Sequence, residues 1–421
     1  MKQKQWKKKM KRYDIVVVGG GAAGMIAAIT AARNGASVLI LEHMEAIGKK
    51  ILSTGNGKCN YTNRRQGVEW YYGDDPAFVL PVLEQFGYEE TIAFFEELGI
   101  RPKAKNGYYY PASEQASAVL EVLKMELRRL KVQILYQIGI RRIESEEKGF
   151  TFETKDGTYS SRFCIMATGG KAAKKTGSDG SGFLYLERLG HSLIDIVPAL
   201  VPLQGKQPFF KDIAGIRAEI SIDLYSNRQL VASESGELQL TDYGISGIPV
   251  FQLSRLASKA LSDGKEVYAI LNFAPAICET ELLGILMNRF LQKEKTAAEA
   301  LIGMYQSKLI PLFLKLANIH KTINSNQVTK LQIKALAAVI GHFCVDIIGT
   351  KKFDFAQTTA GGVNTKEIEN QTLESKLVPG LYFAGEVIDI DGKCGGYNLQ
   401  WAWASGYVAG NSAAKRLRSK T

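Results

Sequence analysis

The residues of this 421-residue chain best placed to do chemistry are glycines. Gly19-Gly20-Gly21-Ala22-Ala23-Gly24 follows a short β-branched run, Tyr13 to Val18. In a G-x-G-x-x-G turn the first glycine permits a tight bend. The second lets backbone N–H groups approach a pyrophosphate, and the third lets the next helix pack closely. Glu42 closes the run Ser37 to Leu41, about twenty residues on, where a carboxylate accepts hydrogen bonds from an adenosine ribose. The glycines alone would be a weak signal and could be a purely structural turn. With a strand before, a helix after and an acid in register, they predict a dinucleotide site.

Gly177-Ser178-Asp179-Gly180-Ser181-Gly182 is glycine-rich, but it lacks the spacing and a following acid, so one fingerprint stands alone. Two further segments favour FAD over NAD as the resident dinucleotide. Met166-Ala167-Thr168-Gly169-Gly170 resembles the mid-chain strand and turn of two-dinucleotide-fold flavoproteins, and Leu381 to Glu386, a strand running into an acidic turn, resembles the C-terminal turn that closes over the ribityl chain and pyrophosphate in many FAD proteins. Near the end, Gly395-Gly396 would let backbone pass beside a flat ring, and Tyr397-Asn398-Leu399 open a helix. Its free N–H groups and dipole would face the N1 and O2 edge of a flavin. The plainer reading is a glycine turn before a packing helix, with Trp401 and Trp403 as packing residues.

Other reactive side chains give less. Cys59 and Cys394 sit in glycine-rich loops, either as a redox pair or as unrelated buried thiols. His191 reads as a core or hinge histidine before a catalytic base. Tyr108-Tyr109-Tyr110 either line a substrate side or form an edge strand. The cysteines and four histidines show no metal-ligand spacing, so no metal site is expected, and no catalytic acid or base is identified.

These motifs need a frame. Tyr13–Val18, a helix over 22–32 stopped by Asn34-Gly35, and Ser37–Leu41 make a βαβ unit with parallel strands. Helical spacing recurs over 78–98 and 114–130, and strands are expected over 132–136, 150–154 and 162–167. From about residue 191 to 271 short alternating runs with turn signals predict β structure. Residues 279–340 read mostly helical, with Pro311 as a break. The fold class predicted is α/β, a Rossmann-type two-dinucleotide-fold flavoprotein with an inserted β-rich and helical domain. Residues 13–190 and 352–421 would form a discontinuous FAD-binding domain. Residues 191–351 would form the inserted substrate domain, β-rich over 191–275 and helical over 276–351.

Composition adds limits. Net charge is +11, but Lys2, Lys4, Lys7, Lys8 and Lys9 precede Met10. Residues 1–12 therefore read as a disordered basic leader or extended start, ahead of a nucleic-acid arm. No apolar run reaches the ~18–20 residues of a membrane span. An odd, scattered set of five cysteines suits reduced thiols in the cytoplasm. No run of Lys and Arg interleaved with aromatics points to nucleic acid.

The chain resembles the BaiN-type flavoproteins, a bacterial family also labelled aminoacetone-oxidase-like FAD-binding enzymes. The resemblance rests on Val16 to Gly24, Gly48-Lys49-Lys50-Ile51-Leu52-Ser53-Thr54-Gly55-Asn56-Gly57-Lys58-Cys59-Asn60, Ala167 to Gly170 and Gly190-His191. It continues through Pro198 to Leu203, Gly385 to Gly392 and Gly395 to Trp403. Where the family often has Arg this chain has Lys49 and Lys58, which keep charge but alter bidentate contacts. Asn56 stands where the family has glycine. The resemblance implies a discontinuous FAD domain, a β-rich insert and a small helical part.

It also implies where FAD would be held. The first βαβ unit would supply Gly19, Gly21, Ala22, Ala23, Gly24, Glu42 and His43. The next loop would add Gly48, Lys49, Ser53, Gly55, Asn56, Gly57, Cys59 and Asn60. The middle of the chain would add Ile140, Thr168 and Gly169, and its end Gly385, Glu386, Gly396, Tyr397, Asn398 and Leu399. The expected function is hydride transfer between flavin and a small organic substrate, by amine oxidation or by enone reduction of steroid-like molecules. NAD(P)H bound transiently at the ring face, or the substrate itself, would supply electrons. The flavin carries the hydride chemistry, so no catalytic triad is required. Two rival readings are an RNA-modifying flavoprotein, of the kind that acts on tRNA, and a non-catalytic flavin sensor or electron carrier.

Overall fold

A computed structural model describes residues 11–419. These divide into two compact units. One holds the residues up to Ile196 and from Gln357 onward; the other is Val197–Ala356.

The first unit is built on a seven-stranded sheet. Its first strand, Lys11–Val18, lies between Val38–Leu41 and Gly157–Met166 and is parallel to both. Gln133–Leu135 extends the parallel sheet beyond Val38–Leu41. The upper half of Gly157–Met166 pairs in parallel with Leu381–Phe383, a strand contributed by the distant end of the chain. Its lower half pairs antiparallel with Gly149–Thr154, which in turn pairs with Ile140–Glu146. Ile15 to Val18 and Leu39 to Leu41 are buried on both faces, which is why they read as continuous apolar runs.

Two helices meet on this sheet, Ala22–Arg33 and the closing helix Tyr397–Arg418. Their contact uses small residues. A Cβ on Gly406 would lie 2.4 Å from the Ala23 carbonyl oxygen, and one on Gly410 would lie 2.4 Å from that of Ala27. The backbones therefore touch, and larger side chains would push the helices apart.

Several local expectations need correction. The helix expected over 78–98 is two helices, Leu80–Gln85 and Tyr88–Glu97, after a 3-10 turn at Pro76–Val79. The break falls at Phe86-Gly87, where the Gly87 N–H donates to the Glu90 carboxylate and starts a new helix. Ile140–Glu146 is a strand that the sequence reading left out. The basic leader read over 1–12 lies, as far as residue 10, outside the described residues. Lys11 and Arg12 already pair with Tyr159 and Ser160.

The second unit is a closed antiparallel barrel with its own core. The barrel order is Leu203–Gly205, Gly244–Gly247, Gln229–Thr241, Arg217–Ser226, Val267–Asn272 and Phe343–Thr350. The part read as β-rich also holds a helix, Ile248–Ser262. The part read as helical contains Glu279–Phe290, Leu309–Leu316 and Lys330–Gly341, but ends in the strand Phe343–Thr350. Phe343, Val345 and Ile347 face the core while Cys344, Asp346 and Ile348 are exposed, the period of two that a barrel wall requires. Among the described residues no helix is long and apolar enough to cross a membrane.

Candidate functional site

The three fingerprint glycines differ in what surrounds them. At Gly19, φ is +103° and a Cβ would lie 2.4 Å from the Ala167 carbonyl oxygen. A Cβ on Gly24 would lie 2.0 Å from the Gly19 carbonyl oxygen, so helix and strand are in contact there. At Gly21 nothing lies within 4 Å of an added Cβ. Gly21 is the N-cap of Ala22–Arg33 and offers no capping side chain, so the first N–H groups of that helix face open space. This is the cradle a pyrophosphate needs.

Glu42 is buried beside it. One carboxylate oxygen accepts from the Gly20 N–H at 2.8 Å, the other from the Met44 N–H at 2.7 Å. The half-exposed His43 has its Nδ1 3.5 Å from the second oxygen. Each oxygen keeps a lone pair for a ribose hydroxyl. Ile140 lies on its strand with its carbonyl taken by the Tyr185 hydroxyl at 2.7 Å.

The loop after Gly48 is a kinked run of 3-10 turns, Lys49–Gly57. The Gly48 N–H donates to the Gly20 carbonyl at 2.9 Å, which sets the loop against the fingerprint. Ser53, exposed, donates its hydroxyl to the Lys50 carbonyl within the same loop. Lys49 pairs at the surface with Glu45. The lysine that reaches inward is Lys50, whose Nζ is 2.7 Å from the Glu386 carboxylate; Glu386 also accepts from the Thr359 N–H at 2.8 Å. Asn56 and Cys59 both adopt positive φ, between Gly55, Gly57 and Asn60. Cys59 is fully buried, and burial pushes its thiol up to about 12, the Thr54 hydroxyl offsetting part of this. It stays protonated, as does Cys394, whose thiol burial also raises. All five cysteines are free thiols.

The chain end is carried onto the same place. A Cβ on Gly385 would lie 2.8 Å from Ala23 Cβ. The Gly385 N–H donates to Ser405 Oγ, and Trp401 Nε1 donates to the Gly385 carbonyl, so the closing helix holds the acidic turn against the first helix. At its start, Gly396 is the N-cap with φ +95° and no side-chain cap. Gln400 Oε1 accepts from the hydroxyls of Thr62 and Thr91, and its Nε2 donates to the Phe86 carbonyl. Trp403 Nε1 donates to the Tyr61 carbonyl. Trp401 and Trp403 are both buried packing residues.

Two buried polar atoms here have no partner: Asn60 Oδ1 and Thr168 Oγ1. Asn60 Oδ1 would lie 2.9 Å from a Cβ on Gly396, so an orphaned acceptor and an uncapped helix start share one spot. Leaving such groups dry is costly, and a ligand is one way to satisfy them. Not every expected residue is free to act. Asn398 clamps Gly392 from both sides, accepting its N–H at 2.8 Å and donating to its carbonyl at 2.7 Å. Tyr397 is buried and stacks on Trp70 at 5.0 Å, and Leu399 is half-buried. Gly169 faces Ser178 Oγ. Sequence reasoning missed Lys50, Thr359 and Gln400. Lys50 and Gln400 stand inside quoted motifs, whereas Thr359 carries no local signal.

His191 donates to or accepts from Ser375 Oγ at 2.8 Å and packs edge-on against Phe383. Burial lowers its pKa, so it is a neutral core residue near the end of the sheet. Among the described residues no three His, Cys, Asp or Glu side chains gather as a metal site.

The open cradle, the buried acid and the orphaned acceptor fit a bound FAD. The family model described as HI0933-like protein Rossmann domain matches residues 13–412. The chain is 45% identical to the 3-dehydro-bile acid delta(4,6)-reductase of Clostridium scindens, over 96% of this chain and 99% of that one. It is 29% identical to the ribosomal RNA dihydrouridine synthase of Haemophilus influenzae, over 97% of this chain and 100% of that one. The open conformation of a flavocytochrome c3 fumarate reductase shares the fold, with a TM-score of 0.50 and 15% identity over 96% of this chain and 78% of that one.

Proposed function

The chain belongs to the HI0933-like Rossmann family of flavoproteins and is an FAD-dependent oxidoreductase; from that premise we propose that it saturates a carbon–carbon double bond conjugated to a carbonyl in a flat, largely apolar small molecule. The observation that carries this reading is the near full-length match to a bile acid delta(4,6)-reductase. The 3-oxo-4,6-diene such a name describes is a conjugated enone. Uridine, too, has its reducible double bond conjugated to a carbonyl, so two relatives of different substrate share one reaction class. That favours enone reduction over amine oxidation.

FAD, when bound, would supply the hydride for the β-carbon of the enone, and a proton from solvent would complete the α-carbon. The chain supplies the rest. Gly21 and the N–H groups after it hold the pyrophosphate, and Glu42 takes the ribose. Asn60 and the start of the closing helix hold the ring, and the helix dipole favours added negative charge there. Lys50 and Glu386 fix the turn that joins the two ends. NAD(P)H bound transiently at the ring face is the electron donor in this reading, because the chain carries a single dinucleotide fingerprint.

The test is anaerobic. NADPH or NADH should bleach the flavin, and a 3-oxo-4-ene steroid should restore its colour with one equivalent of saturated product. Reduced enzyme that oxygen reoxidises and no enone does would overturn the proposal. A second reading, reduction of uridine in RNA, is favoured by one observation. Residues 300–345 contain Lys308, Lys315, Lys321, Lys330 and Lys334 and no Asp or Glu, and all five lysines are exposed. Reoxidation by a ribosomal RNA fragment and not by enones would select it.

A further inference from the structure

One buried amide joins the start of the closing helix to the strand that follows the loop over 48–60. Gln400 lies in the first turn of Tyr397–Arg418, and its N–H donates to the Gly396 carbonyl at 2.9 Å. Its side chain is fully buried. Oε1 accepts from the Thr62 hydroxyl at 2.6 Å and from the Thr91 hydroxyl at 2.9 Å, and Nε2 donates to the Phe86 carbonyl at 3.0 Å. Thr62 and Thr91 are as completely enclosed. A glutamine amide accepts two hydrogen bonds and donates two. Three of the four places are therefore filled by residues more than 300 positions away.

The segments it joins carry the two groups left open for a ligand. Thr62 follows Asn60 by two residues and begins the strand Thr62–Asn63. Its backbone lies against the helix start. A Cβ on Gly396 would lie 3.0 Å from the Thr62 carbonyl oxygen and 2.9 Å from Asn60 Oδ1. Asn60 Oδ1 is a buried acceptor without a partner, and the first N–H groups of the helix are donors without a side-chain cap. A bare acceptor beside bare donors matches the edge of a flat heterocycle that presents N–H next to C=O, and the pyrimidine ring of a flavin has such an edge. Hydrogen bonds weaken steeply with misalignment. Both groups can be met at once only while the two segments keep their register.

We propose that Gln400 is a positioning residue for the flavin: through Thr62 it holds the helix start and Asn60 in register with one another, and so favours the reduced, negatively charged ring. The inference rests on the reading that these two groups hold the ring, and it does not depend on the enone.

The experiment measures the two-electron potential of the holoenzyme against a reference dye, with flavin content and melting temperature on the same samples. Thr62→Val and Thr91→Val each remove one hydroxyl from the same acceptor, Gln400 Oε1, so they cost the fold a similar amount. They differ in what they release. Thr62 adjoins the Asn60 segment, whereas Thr91 sits on Tyr88–Glu97, which supplies none of the residues assigned to FAD. The bond from Trp403 Nε1 to the Tyr61 carbonyl remains in both and keeps the segments packed. Thr62→Val should shift the reduction equilibrium about threefold toward oxidised flavin, ~14 mV, while Thr91→Val should lower the melting temperature as much and keep the wild-type potential. Gln400→Met should shift the equilibrium about tenfold, ~30 mV. Adding Thr62→Val to it should change the potential no further, because both substitutions cut one link. Gly396→Ala is the reference. If it moves the potential and Thr62→Val does not, the positioning role falls and the ring placement stands. If neither moves it, the ring placement falls and the proposal with it. Equal shifts from the two threonine variants mean general loosening and overturn the role. Shifts that add in the double variant put Thr62 and Gln400 on separate routes and overturn it too. Should Gln400→Met not fold, the two threonine variants decide alone.

Discussion

Gly19, Gly21 and Gly24 are the same residue doing three jobs, and one of them makes a clean experiment. Gly19 and Gly24 are needed for packing, since a Cβ at either would meet backbone at 2.4 Å or less. Gly21 has φ −73° and ψ −169°, an extended conformation that valine adopts readily, and open space around it. Gly21→Val should therefore fold and fail to bind. The variant should be colourless, with the far-UV circular dichroism and melting temperature of wild-type apoprotein. Gly24→Ala, by contrast, should lose stability before any question of flavin arises. A yellow Gly21→Val protein at full flavin occupancy would put the pyrophosphate elsewhere.

At the scale of elements, the first strand, helix and strand were legible because periodicity, glycine spacing and a terminal acid agree within thirty-odd residues. What depends on distant partners was not. Lys50 and Glu386 are 336 residues apart, and only the fold selects Lys50 over Lys49. Asn398 looked free to meet a cofactor, but the turn at Gly392 occupies its amide. Phe343–Thr350 had a signal that was read past: its alternation is plain, yet it follows a long helical stretch. The closing helix, whose start was legible, carries a prediction. Gly396→Ala would place Cβ 2.9 Å from Asn60 Oδ1 and 3.0 Å from the Thr62 backbone, at a φ that alanine resists. The helix start and Asn60 must then shift. A helix terminus contributes up to ~2 kcal/mol to a nearby charge, and ~1.4 kcal/mol is about 30 mV for a two-electron couple. The potential of Gly396→Ala should fall by tens of millivolts against a reference dye. Full flavin occupancy with an unchanged potential would remove this helix from the tuning of the ring.

Across the whole molecule, two units with separate cores come from one chain. One core runs from Ile15 through the closing helix to Ala414, the other from Leu203 to Ile347. Every residue proposed to hold FAD belongs to the first unit. Binding that is confined to one folded unit stabilises that unit by mass action, about 2.7 kcal/mol at a hundredfold excess over Kd. Calorimetry of the apoprotein should therefore resolve two transitions. Adding FAD should raise one of them by several degrees and leave the other in place. FMN should raise it less, because Glu42 and the Gly21 cradle act on the adenosine and pyrophosphate that FMN lacks. Isolated heating of the flavin-loaded protein past the unmoved transition should keep the flavin yellow and bound until the second. Equal shifts with FMN and FAD would remove the first βαβ unit from cofactor recognition. A single transition that FAD moves as a whole would mean that the barrel unit unfolds only with the flavin unit, and that its core does not stand alone.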